Sequence, residues 1–192
     1  MRLFIAREAL DPHLKVSGAV LNSKLPIAQR IFAAIKAAWF YAFWYPEQWL
    51  PFQEFFQIKA AAGTGPHAAG VLVDHLRYAA RTSRRLARSL FHAMVRFGPK
   101  LEREQVLLGR FVDIGTELFA MTTVCLRAER LLQSNQEREK QDETLETADY
   151  FCKAARLTIE EKFRGIAENN DRAGYKLAQR ILAAKVPEDA GQ

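Results

Sequence analysis

Arg77, Arg81, Arg84, Arg85 and Arg88 recur at helical spacing, and no other set of groups in the chain is so ready to do chemistry. On a helix these five fall on one face. A face of guanidinium forks suits phosphate oxygens, whether on a lipid headgroup, a nucleotide or a nucleic acid. A solvated face partly paired with acidic residues is the plainer account of the same pattern. A DNA reader would add a short recognition helix and polar base-contacting side chains. The pattern shows neither, so nucleic acid is not an expected partner.

The other chemistry-bearing residues are scattered. His13, His67, His75 and His92 stand at no metal-ligand spacing to one another, and no metal site is expected. Glu160 and Glu161 are adjacent, so on a helix they point to different faces. No serine–histidine–aspartate or cysteine–histidine arrangement can be read from the spacing. Gly63-Thr64-Gly65-Pro66 lacks the lysine and hydroxyl that follow the last glycine of a phosphate-binding loop, and no strand pattern precedes it; it reads as a linker. Cys125 and Cys152 are the only cysteines. Both lie on apolar stripes and read as buried, reduced thiols, since a disulfide would require two helices to meet at that level. No catalytic, cofactor-binding or metal-binding residue is assigned.

Ten of the 21 aromatic residues fall between Trp39 and Phe56. Rings with a polar handle favour places where one end is dry and the other wet, such as membrane boundaries and protein interfaces. Trp39, Phe40, Phe43, Trp44, Trp49 and Phe52 are therefore the candidate docking residues, for lipid or for protein. Ile27, Ile31, Phe32 and Ile35 extend the apolar side toward the N-terminus, and Arg30 and Lys36 are placed to reach headgroups. The net charge of +6 over 192 residues favours an acidic partner. No apolar run of about 20 residues occurs to span a bilayer, and no signal-peptide pattern opens the chain.

The elements that must carry these groups are helical. Leu72, Leu76, Ala79, Ser83, Leu86, Leu90, Ala93 and Phe97 alternate four and three residues apart. Gly98-Pro99 closes that helix and opens another, on which Leu107, Phe111, Ile114, Leu118, Met121, Cys125, Ala128 and Leu132 repeat the spacing. A third seam comprises Ala148, Cys152, Ala155, Ile159 and Ile166. Asn169-Asn170-Asp171 marks a break before a shorter helix that runs to about Lys185. Residues 26–45 form a helix leading into the aromatic run, residues 2–10 a short one, and residues 11–25 a loop. Helices of about 30 residues are roughly 45 Å long, and short connections make neighbours antiparallel. The expected fold is all-α, an antiparallel long-helix bundle with an aromatic-rich N-terminal helical extension. Residues 77–110 hold nine basic and two acidic residues, and residues 136–149 six acidic and two basic; these segments are expected to face each other.

The passage RLARSLFHAMVRFGPKLEREQVLLGRFVDIGTELFAMTTVCLRAERLLQ, residues 85–133, resembles the C-terminal helical region of very-long-chain-type acyl-CoA dehydrogenases, the membrane-associated branch of that flavoenzyme family. Arg2-Leu3-Phe4-Ile5-Ala6 resembles the helix after that family's catalytic glutamate, and ETADYFCKAARLTIEE, residues 146–161, resembles the same extra domain. The likeness runs from Arg2 to about Lys185 and is most specific around Gly109-Arg110-Phe111-Val112-Asp113. It implies a flavin-dependent parent enzyme of fatty acid β-oxidation whose FAD and glutamate base belong to domains outside this chain. Glu8 is not at the base position. The region itself is then expected to support membrane association and dimer assembly.

The resulting domain reading is a post-catalytic helix remnant and docking segment at 1–62, a bundle at 66–185 and a flexible tail at 186–192. Expected partners are an anionic membrane surface and the catalytic domains of an acyl-CoA dehydrogenase or a homodimer mate. The expected location is peripheral, on the cytoplasmic or mitochondrial-matrix side. An independent helical membrane-anchoring adaptor is the rival reading, and a small enzyme with an unrecognised site in the bundle is a third.

Overall fold

The computed structural model describes Val20, residues 25–47, Trp49, residues 68–134 and residues 137–184. The expected helix at 2–10, the Gly63–Pro66 linker, His13, His67, Phe52 and the tail lie outside the described residues. Among the described residues five α-helices have full ranges: α1 (Ile27–Glu47), α2 (Ala68–Phe97), α3 (Gln105–Ser134), α4 (Arg138–Ala167) and α5 (Asp171–Ala184). A 3-10 segment, Gly98–Arg103, joins α2 to α3. No strand occurs among the described residues, and the fold is an all-α bundle.

Helices α2, α3 and α4 make the bundle, and the α3–α4 pair is packed most extensively. Gly98 has φ of +51°, a left-handed conformation that glycine adopts without steric cost and that ends a helix cleanly. The chain does not pass straight into the next helix there. The 3-10 segment intervenes and brings Leu101, 4% exposed, under the end of the bundle. The second junction depends on one side chain. Asn169 Nδ2 donates to the Gly165 and Ile166 carbonyls at 3.0 and 3.3 Å, while Asn169 Oδ1 accepts from the Asp171 backbone N–H at 3.3 Å. It satisfies the orphan carbonyls of α4 and an orphan N–H of α5 together.

The α3 stripe is the spine of the core. From Leu107 through Ala128 every residue of that stripe is buried, and Leu132 is half-buried. Ile114, Met121 and Ile159 are fully enclosed. Alanines 79, 128, 148 and 155 and both cysteines belong to the same core. Such small side chains let helix axes approach closely, so the interior is filled with few bulky groups.

The α2 stripe departs from expectation at its centre. Ser83 is exposed and donates to the Ala79 carbonyl at 2.9 Å. His75 and Thr82 are buried instead, at 2% and 5%. A helix that packs on two neighbours buries a wider arc than a single seam. His75 and Thr82, seven residues apart, form its second edge, toward α4. There His75 Nε2 lies 2.9 Å from Asp149 Oδ1.

The charge pairing also departs from expectation. Since α2 and α4 each run antiparallel to α3, they run parallel to each other. Asp149 therefore comes level with His75, and the rest of the acidic run precedes it, away from the arginines. Arg85 meets Glu160 instead, at 2.9 and 2.8 Å to the two carboxylate oxygens.

Candidate docking surface

Helix α1 is apolar nearly all round and has two distinct sides. Tyr41, Trp44 and Tyr45 turn inward onto Phe91 of α2, with ring centroids 4.8, 5.8 and 5.6 Å from it. Tyr45 Oη lies 3.0 Å from His92 Nε2. Ala37, on the same side, is the one fully buried residue of α1 among those described. Ring contacts at these spacings hold the helix to the bundle beyond simple area burial.

The other side is uncovered. Ile27, Ile31, Ile35, Trp39 and Phe43 follow one another at intervals of four and are 73%, 56%, 63%, 70% and 59% exposed. Phe32 joins them. Residues four apart are neighbours on a helix but drift about 40° at each step. The five therefore make one continuous ridge about 24 Å long at 1.5 Å per residue, which winds round α1 and brings Trp39 and Phe43 opposite the Phe91 anchor. Trp39 and Phe43 pack edge to face at 5.2 Å. Lone exposed apolar residues are ordinary; a contiguous stripe marks a contact surface.

The proposed docking residues are thus divided. Trp39, Phe43 and Trp49 face outward, Phe40 is partly exposed at 39%, and Trp44 belongs to the anchor on Phe91. The two cations expected to flank the stripe are divided too. Arg30 Nε donates to the Val20 carbonyl at 3.2 Å, while Lys36 is exposed.

The arginine face adjoins this helix. Arg77, Arg81, Arg84 and Arg88 share one stripe of α2, and Phe91 and His92, which hold α1, continue it. The Arg88 guanidinium lies 4.3 Å above the Trp49 ring, a cation–π contact that ties the cationic stripe to the aromatic segment. Arg77 and Arg81 are exposed. Arg85 sits at the edge of the stripe, paired with Glu160 and stacked 3.8 Å over Phe163, and so serves packing between α2 and α4.

Sequence reasoning missed a polar layer between α2 and α4. Asp149 accepts from Lys153 at 2.6 Å as well as facing His75, and first the lysine and then the histidine hold its carboxyl below the usual carboxylate range. Arg156 reaches the Asp74 carbonyl and carboxylate and lies 4.5 Å over Tyr78. Burial, then the Glu160 carboxylate, pushes the Tyr78 phenol above its ordinary value. Spacing alone could not pair residues 74 to 82 positions apart, although polar residues at 75 and 82 on one helix edge were a usable sign. The layer holds α2 and α4 together.

A further junction fastens α5. Arg110 makes a two-pronged pair with Asp171, the second prong 2.9 Å long, and that hydrogen-bonding holds the guanidinium above its ordinary pKa. The Arg110 side chain crosses α4 at Gly165, where any Cβ would lie 3.1 Å from its Nε. No group of three or more metal-ligating side chains is found among the described residues. No helix among them is long and apolar enough to cross a membrane.

Comparison with known proteins gives two concordant findings. The family model for the ACAD9/ACADV C-terminal domain matches residues 72–191. Probable acyl-CoA dehydrogenases FadE10 of Mycobacterium bovis and Mycobacterium tuberculosis are similar to the chain, at 40% identity over 185 residues. The alignment covers 96% of this chain and 27% of each relative. No solved structure matches.

Proposed function

This chain belongs to the ACAD9/ACADV C-terminal domain family, and on that premise we propose that it is the non-catalytic helical domain of a flavin-dependent acyl-CoA dehydrogenase of fatty acid β-oxidation, docking its enzyme on an anionic membrane surface. The observation that carries the reading is the uncovered stripe Ile27, Ile31, Ile35, Trp39 and Phe43 on a helix anchored from behind by Tyr41, Trp44 and Tyr45. Such a helix lies in the interface plane with its apolar side among acyl chains. Arg77, Arg81, Arg84 and Arg88 add attraction to acidic headgroups, each worth about 1 kcal/mol close to the surface. Residues 1–62 are then the docking segment, 66–185 the supporting bundle and 186–192 a tail. The association is peripheral, on the cytoplasmic or mitochondrial-matrix face.

The flavin and the base that removes the substrate proton are assigned to the catalytic domains of the parent enzyme. The outward side of α4, with Tyr150 and Leu157 at 77% and 76% exposed, suits contact with those domains or with a homodimer mate. By itself the 192-residue chain is expected to show no acyl-CoA turnover and no stoichiometric yellow cofactor.

Flotation with phosphatidylserine-containing vesicles tests the membrane reading. The chain is expected to float at low salt. Serine at Trp39 and Phe43 weakens flotation at any salt, whereas Arg81→Glu weakens it only at low salt and only on acidic lipid, because salt screens charge and leaves apolar burial intact. A folded wild-type chain that stays at the bottom of the gradient at low salt overturns the reading and returns the stripe to protein contact.

A further inference from the structure

The chain has two cysteines, Cys125 on α3 and Cys152 on α4. They occupy the apolar stripes of the two helices that pack most closely, and the antiparallel arrangement brings them to one level. The sulfurs lie 3.7 Å apart, and the residues are 1% and 0% exposed. Ala128 and Ala148 belong to the same core, on the adjoining turns toward the α3–α4 connection. Small neighbours leave the two helices little to displace on closer approach. A covalent S–S bond needs about 2.05 Å, so each sulfur must move by less than about 1 Å, within reach of a small χ1 rotation.

We infer that Cys125 and Cys152 are a redox-modifiable pair, oxidised by a hydroperoxide to an intramolecular disulfide that staples α3 to α4. Only one of the two thiols can ionise at a time. The hydrogen bond from Cys125 lowers the pKa of Cys152, aided by the Arg156 guanidinium one turn on, and the same pairing pushes Cys125 up. The Cys152 thiolate attacks one peroxide oxygen. The O–O bond breaks, Cys152 becomes a sulfenic acid, and the departing hydroxide takes a proton to become water. Cys125 sulfur then attacks the sulfenic sulfur. The S–O bond breaks, and the leaving hydroxide takes the Cys125 proton as a second water. Two thiols and one hydrogen peroxide give one disulfide and two waters; the sulfurs lose two electrons and the peroxide gains them.

Access to so enclosed a pair comes from opening at one end. The first buried residue of α4 is Ala148, and of the ten residues of α4 before it only Gln141, Thr144 and Leu145 are even half-buried, Leu145 at the edge of the core and Gln141 donating to the Leu132 carbonyl. A helix end held by few apolar contacts opens at low free energy. Opening to the Ala128–Ala148 layer uncovers the sulfurs next. Reaction with peroxide is therefore slow in native buffer and quickens in urea too dilute to unfold the chain.

The test uses the full chain, reduced, freed of reductant and treated with hydrogen peroxide. Thiols are counted with a maleimide after denaturation, linked peptides are mapped by mass, and thermal unfolding is recorded. Both thiols are expected to disappear together, in a monomer, with Cys125 and Cys152 in one linked peptide. The melting temperature rises, because the crosslink restricts the unfolded chain, and dithiothreitol reverses the rise. In Cys125→Ser, Cys152 stops at the sulfenic acid, which dimedone captures. If that variant fails to fold, the wild-type peptide map decides. Two thiols still titratable after peroxide in both native buffer and dilute urea, crosslinks found only between chains, or a lowered melting temperature overturns the inference.

Discussion

Leu118→Ala, measured beside Phe119→Ala, tests the register of the whole bundle with two adjacent residues. Leu118 is 5% exposed within the core that contains Ile114, Met121 and Ile159. Phe119 is 74% exposed on the outer side of the same helix. Truncating Leu118 removes three buried carbon groups, a transfer loss of about 2.4 kcal/mol at about 0.8 per group. The cavity left behind adds to that, because neighbouring helices relax only in part, and measured losses for such changes span about 2–5 kcal/mol. Better helix propensity returns a few tenths of a kcal/mol, about 0.2. Phe119→Ala removes a larger side chain, yet that side chain is already in water, so the change is expected to stay within about 0.5 kcal/mol. Urea unfolding followed by circular dichroism reads both, with the slope on urea unchanged. In thermal melts the Leu118 loss corresponds to a fall on the order of 4–20 °C for a chain of this size. A Leu118→Ala midpoint no lower than that of Phe119→Ala would refute the assigned face of α3, and with it the packing of α4 against that face.

Asp171→Asn removes the charged partner of Arg110, whose side chain is 19% exposed. Amide exchange in residues 171–184 is expected to lose protection while α3 and α4 keep theirs; unchanged protection in α5 would mean that the pair does not hold it. The Asp149 carboxyl is held below its usual range by Lys153 and His75. Its folded pKa thus lies below its unfolded one, so its stabilisation is present above the ordinary carboxylate pKa and is lost as pH falls through the lowered value. Asp149→Asn should be less stable than wild type at neutral pH, and the gap should close under acid; a gap constant from pH 7 to pH 3 counts against the assignment. On acidic vesicles, Ile31→Ser should weaken flotation as Trp39→Ser does, whereas a matching effect from exposed Leu157→Ser on α4 would show the α1 stripe to be nothing special.

The α3 stripe was legible residue by residue, since a repeat of four and three is the geometry of one buried helix face and needs no partner to be recognised. The helix breaks were legible for the same local reason: Gly98 supplies a positive φ, and Asn169 caps in both directions. Resemblance to the family was likewise carried by linear sequence, and the match over residues 72–191 agrees with it. What the chain alone could not decide is which polar side chains go inside. His75 belongs in the interior only because Asp149, 74 residues away, meets it there, and periodicity read Ser83 as core because it assumed one neighbour where α2 has two. The aromatic run shows the same limit. Density announces a surface-seeking segment, but its division into an anchor and an open stripe follows from where Phe91 receives Tyr41, Trp44 and Tyr45. Likewise the arginine face is uniform in sequence, and tertiary packing draws Arg85 out of it toward Glu160 and Phe163. Period and local capping act over a few residues and are written in order along the chain; pairing of charge, thiol and ring depends on the register between helices, which exists only once the bundle has closed.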